Sequence, residues 1–214
     1  SESGLALMRS QLQAALPEGV TLVSRSENQL LPAYIDQVAR QEQADLIVMG
    51  ITGGSGLEEV LLGSNTLDVM KETRTPLLIV PAGATFTEIN TVVFACDFRK
   101  VTETLPVRPL QQFLDVFRAR LFVVNVDHEK RHFTAETPFE TLVMDTLLAD
   151  YSPEYRFLEN ENVVEGIIGF AEAEKAGLII TIPRQHGFLA GLFHRSRTRQ
   201  LAFHSSIPLL VIRE

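Results

Sequence analysis

Cysteine is almost missing from this chain of 214 residues, where Cys96 stands alone. That excludes an intramolecular disulfide and any zinc site built from several cysteines of the chain. Basic residues are in deficit: 19 Lys and Arg face 27 Asp and Glu, a formal net charge of −8. A chain of that balance lacks the broad basic face needed for non-specific DNA or RNA binding. No apolar run approaches the roughly 20 residues that span a bilayer. Glu2 stands where a secretory signal carries its basic region. What is plentiful is apolar: 45% of residues are hydrophobic and 13 are Phe, ample for a buried core. The expectation is a soluble, cytoplasmic, globular protein without a nucleic-acid or membrane partner. Its length suits one large domain or two small ones.

The chain repeats itself. Shifted by 132 residues, its two parts align without a gap. Ala44-Asp45-Leu46-Ile47-Val48 falls on Ala176-Gly177-Leu178-Ile179-Ile180, and Pro76-Leu77-Leu78-Ile79-Val80 on Pro208-Leu209-Leu210-Val211-Ile212. Thr66 falls on Thr198; upstream, Ile35, Val38 and Ala39 match Ile167, Phe170 and Ala171 at helical spacing.

In the second part, strands are expected at 90–96, 120–126, 155–159, 177–182 and 208–213. Helices are expected at 105–118, 137–150, 162–175 and 196–204, the first with Leu110, Phe113, Leu114 and Phe117 on one side. Strand–helix alternation with continuously apolar strands implies an α/β fold, a doubly wound parallel sheet with helices on both faces. The boundary falls at Pro81-Ala82-Gly83-Ala84, giving domains 1–84 and 85–214. The first is the shorter: Ser1 aligns with residue 133, so nothing corresponds to 90–132, a strand, a helix and a second strand. The first strand of a doubly wound sheet is normally central, so its absence is expected to leave a gap between strands whose edges lack partners. That, with a start at Ser rather than Met, suggests a longer native protein; a permuted or partner-completed domain is the alternative.

The chemical signal follows the strand at 45–49. Gly50, Gly53 and Gly63-Ser64 form G-x2-G-x9-G-S between the carboxyl end of a strand and a helix. Ligands of open α/β sheets bind at that end. Glycines let backbone approach a phosphate, helix-terminal N–H groups point at the anion, and Ser64 suits a helix cap or a phosphate contact. No Lys precedes Ser64 as in a P-loop, and Glu59 stands where G-x-G-x-x-G needs its last glycine. The competing reading is a flexible loop closed by a capped helix, supported by the negative charge of Glu58 and Glu59.

On these residues the chain resembles the universal stress proteins in their tandem two-domain form. The resemblance runs over the strand–helix alternation, the strand ending in Gly50, the spaced glycines and the Pro-Leu-Leu-Ile-Val-Pro ending at 76–81. It implies two universal-stress-type domains, the first lacking its N-terminal strand–helix–strand. ATP is the implied ligand, with Gly50, Gly53, Gly63, Ser64 and Asn65 around ribose and phosphates. The family's nucleoside-binding Asp would lie in the absent segment of the first repeat. Thr52 stands where many ATP-binding relatives carry a basic or His side chain. The second repeat departs from the pattern: Ile182, Gln185 and Arg195 replace the three glycines, although Ser196 is kept and Asp97 ends its first strand. It reads as a degenerate, non-ATP domain.

Three other groups stand out. Residues 184–199 hold Arg184, His186, His194, Arg195, Arg197 and Arg199 without an acid: an anion or partner site, or a solvated face. Asp127, His128 and His132 would hold a metal only if helical, whereas a loop is expected there. Cys96 reads as a small core residue within a buried strand. No arrangement of Ser, His and Asp suggests catalysis, so the chain is expected not to be an enzyme. The functional expectation is stress-response action by ligand-dependent conformation or association, as a homodimer or intramolecular pseudo-dimer. A scaffold without nucleotide is the first alternative and slow ATP hydrolysis the second.

Overall fold

The apolar runs of both repeats become strands, and all of them share one sheet. The structure, a computed structural model, describes residues 2–28, 30–50, 59–86, 88–128, 134–183 and 205–213. The first repeat gives helices α1 (Glu2–Gln13) and α2 (Leu31–Gln41), strand β1 (Ile47–Gly50), helix α3 (Glu59–Glu72) and strand β2 (Leu77–Val80). The second opens with strand β3 (Thr91–Ala95), a short helix α4 (Val101–Thr104), helix α5 (Val107–Phe117) and strand β4 (Arg120–Asp127). Helix α6 (Thr137–Leu147), strand β5 (Glu154–Glu159), helix α7 (Val163–Ala173) and strands β6 (Leu178–Thr181) and β7 (Leu209–Val211) complete it. The helix expected at 196–204 lies outside the described residues.

The seven strands run in the order β1-β2-β7-β6-β3-β4-β5. Every neighbouring pair is parallel except β2 and β7. This antiparallel seam pairs Leu77 with Val211, Leu78 with Leu210 and Ile79 with Leu209. Under the 132-residue offset Leu77 is equivalent to Leu209 and Ile79 to Val211, so each residue faces the equivalent of its neighbour across the Leu78–Leu210 pair. The repeats therefore meet about a local two-fold axis at that pair. The seam is also tied at its end, where Arg213 Nη1 donates to the carbonyl of Lys71, in the last turn of α3, and to that of Thr73 at 3.4 Å.

Strand alternation sends side chains to two cores. On one face Ile47, Leu77, Ile79, Leu209, Val211 and Ile179 pack under α2, α3 and α7. On the other, Val92, Phe94, Leu178, Ile180 and Leu210 pack under α5 and α6. Along α5 the predicted stripe holds: Leu110 and Leu114 are buried, with Phe113 and Phe117 packed against the same core. At the start of α7 the Asn162 side chain caps the helix, its Oδ1 accepting the Val164 N–H at 3.2 Å while its Nδ2 donates to Glu165 Oε1 at 2.8 Å.

The expected gap between the remaining strands of the first repeat is not there. Instead β1 ends the sheet, and residues 22–27, which align with β5, form no strand. A strand in the middle of a sheet needs partners on both sides, and the equivalents of β3 and β4 that would carry one here are not among the described residues.

Two local contacts give testable energetics. A Cβ at Gly166 would lie 2.7 Å from Val126 Cγ1 and 3.2 Å from Asn160 Cβ. Gly166→Ala should therefore cost about 1–3 kcal/mol despite the better helix propensity of Ala, read by urea denaturation. The Tyr151 hydroxyl donates to Asp115 Oδ1 at 2.8 Å and to the Gln111 carbonyl at 3.3 Å. Desolvation, then the bond to Asp115, pushes its pKa up from 10.0 to about 12. A raised pKa means the folded state holds this proton more tightly. The contribution is complete below the unfolded value and is lost as the pH rises through the folded one. The stability difference between the protein and Tyr151→Phe should thus stay constant below pH 10 and shrink toward pH 12 in chemical denaturation series.

Candidate functional site

Gly50 closes β1 at its carboxyl end, where α/β sheets receive ligands. Neither backbone conformation nor packing among the described residues explains a glycine there. Its φ is outside the left-handed region, and a Cβ would meet nothing within 4 Å. Other glycines differ: at Gly177 a Cβ would come within 3.1 Å of the Ile89 Cα, a tight contact that favours glycine on packing grounds. Gly53 lies with residues 51–58 outside the described residues. Gly63 and Ser64 lie inside α3, and Asn65 in the same helix is exposed. The described part of the helix already includes Glu59, so Ser64 stands within it and not at a cap position.

At the aligned place in the second repeat the described residues pack closely together. Ile182, the counterpart of Gly50, is buried, as is Asp97, whose Oδ1 accepts the Arg99 N–H at 3.1 Å. Phe98 is 1% exposed at φ 50°, and its ring stacks on Phe157 with centroids 5.4 Å apart. The N–H of Val101, which opens α4, goes to Glu140 Oε2 at 2.8 Å. Phe94, Cys96, Asp97, Val101, Met144 and Ile182 are among the residues lining a space of about 20 Å³ among the described residues there. That is room for a water molecule, whereas small-molecule sites occupy roughly 300–1,000 Å³.

Phe98 and Glu140 escaped the sequence reading. No glycine marks the left-handed turn at Phe98, and Glu140 reaches Val101 from another helix, a contact no local pattern announces. Cys96 lies one residue past β3 rather than within it and is half-buried. The basic stretch 184–199 and His132 lie outside the described residues. Among the described residues no cluster of three or more His, Cys, Asp or Glu is placed to hold a metal. None of the described helices is long and apolar enough to cross a membrane.

Residues 3–81 match the model of the universal stress protein family. Universal stress proteins MJ0531 and MJ0577 of Methanocaldococcus jannaschii are 50% and 44% identical to this chain over 46 residues. That stretch is 22% of this chain and only 27% and 28% of those relatives. In three dimensions the chain is similar to a universal stress protein from Archaeoglobus fulgidus: TM-score 0.71, 20% identity, 100% of this chain and 76% of that one. A putative universal stress protein from Pseudomonas aeruginosa superposes with TM-score 0.67 at 14% identity, over 99% of this chain and 78% of that one. The first repeat therefore matches the universal stress protein family, and the chain as a whole has the fold of solved universal stress proteins.

Proposed function

We propose that the chain is a tandem universal-stress-type protein, with domains at 1–84 and 85–214, that binds one adenine nucleotide, ATP, through the first repeat alone. Gly50, Gly53, Gly63, Ser64 and Asn65 are the residues assigned to ribose and phosphates. The observation that carries this reading is Gly50: neither conformation nor packing among the described residues calls for glycine at a strand end where ligands approach backbone. In the second repeat Ile182 takes that place and the described side chains beside it leave a space of only about 20 Å³, which supports a structural role for this half. With no group assigned to chemistry on a phosphate, the protein works as a cytoplasmic stress-response component by ligand-dependent conformation or association, not by turnover.

The test is equilibrium binding of a fluorescent adenine nucleotide to the protein and to Gly53→Val. Saturable binding that ATP displaces and the variant lacks, with an unchanged unfolding midpoint, supports the reading. Absence of binding to the unaltered protein favours the scaffold alternative.

A further inference from the structure

The helix that carries Gly63, Ser64 and Asn65 is held at its far end by the other repeat. Those residues lie in the first half of α3, and Lys71 follows Ser64 by about two turns, roughly 10 Å along the axis. Between them Thr66, Val69 and Met70 are buried, the last two in the same core as Ala39 of α2 and Ile79 of β2. A helix packed along that length moves as one body, so a constraint on its last turn is felt at its ligand-bearing turns.

That constraint comes from the second repeat. The final carbonyls of a helix have no partner within it and form the negative end of its dipole. Arg213, two residues past β7, brings both a cation and donors to this end. Its Nη1 donates to the Lys71 carbonyl, inside the last turn, and to the Thr73 carbonyl just past it at 3.4 Å. The base of Arg213 is itself secured: its neighbour Ile212 is buried, and the Ile212 N–H donates to the Thr181 carbonyl of β6 at 3.1 Å. The contact runs in one direction only. Under the 132-residue offset Arg213 corresponds to Pro81, which has neither an N–H nor a side-chain donor. The first repeat therefore cannot return it. The half with the full glycine motif receives the support, and the half without that motif gives it.

We propose that Arg213 is a positioning residue for the first repeat's nucleotide site, through which the second repeat holds α3 in the placement the ligand requires relative to Gly50. The inference rests on the ligand reading above and gives the seam a use beyond stability. Nucleotide and the Arg213 contact favour the same placement of α3, so by linkage each strengthens the other.

The test compares the full chain with two variants. Arg213→Met keeps an apolar stem and removes donors and charge, whereas Arg213→Lys keeps a cation at the carbonyls. Affinity for a fluorescent adenine nucleotide is expected to fall at least about fivefold in Arg213→Met, the lower end of couplings between sites, and to recover in Arg213→Lys. Amide hydrogen exchange reads the same coupling in reverse. The Thr73 N–H, which donates to the Val69 carbonyl at 2.9 Å, is expected to exchange faster in Arg213→Met. Saturating nucleotide is expected to slow it in the unaltered protein and not in that variant. Gly177→Ala, whose Cβ would press on Ile89, controls for general destabilisation and is expected to keep full affinity. Unchanged affinity in Arg213→Met would overturn the proposal and leave the ligand reading standing, as would an equal loss in Gly177→Ala. Equal slowing of Thr73 exchange by nucleotide in both proteins would do the same. Absence of nucleotide binding to the unaltered protein would overturn both readings together.

Discussion

Ile180→Ala is expected to destabilise the protein by about 2–5 kcal/mol, the range for truncating a fully buried Ile or Leu. Val48→Ala, at the aligned position of the first repeat, is expected to cost under about 1 kcal/mol, mostly in strand preference. The two side chains differ by one methylene and occupy the same register of equivalent strands. Their surroundings differ completely. Ile180 is at 0% exposure between β3 and β7 beneath α5, and Val48 is 59% exposed on the open edge. Urea denaturation of both variants reads the contrast directly, provided that the slope against urea stays constant. Comparable costs at the two positions would show that the first repeat is covered in solution, and would contradict the open face.

The second large effect is functional. Gly50→Val should lower affinity for an adenine nucleotide at least tenfold, about 1.4 kcal/mol or more, while leaving the unfolding midpoint nearly unchanged. A β-branched residue suits a strand end, and a Cβ there meets nothing within 4 Å among the described residues, so their packing gives no reason for a loss of stability. A ligand brought against the backbone at that point would meet the two new methyl groups. Gly177→Ala is the complementary control. Its Cβ would press on the Ile89 backbone at 3.1 Å, so it should lower stability and leave nucleotide affinity alone. Loss of stability in Gly50→Val together with loss of binding would return Gly50 to an ordinary structural role.

Much of the fold was legible because the repeat is written in the strands themselves. The apolar runs 46–48 and 77–80, and their counterparts at 178–180 and 209–212, need no long-range information to be recognised as buried strands. Their seam was not legible. Leu78 and Leu210 would look the same in separate sheets, since an apolar run does not state which edge it joins or in which direction. The gap expected in the first repeat became an open edge for the same reason: strand order is a property of the assembled sheet. The site divides likewise. Gly50 is marked by spacing and sequence position, and Ile182 by departure from the same pattern. The closing of the second repeat is not marked, since it depends on Phe98 in a left-handed turn and on Glu140 reaching the start of α4 from α6.

The central claim is that two like halves carry one ligand site. Native mass spectrometry of the protein titrated with ATP, alongside Gly50→Val, tests it most directly. The expected result is saturation at one nucleotide per chain for the protein and none for the variant. Two nucleotides per chain, or one that survives Gly50→Val, would contradict it.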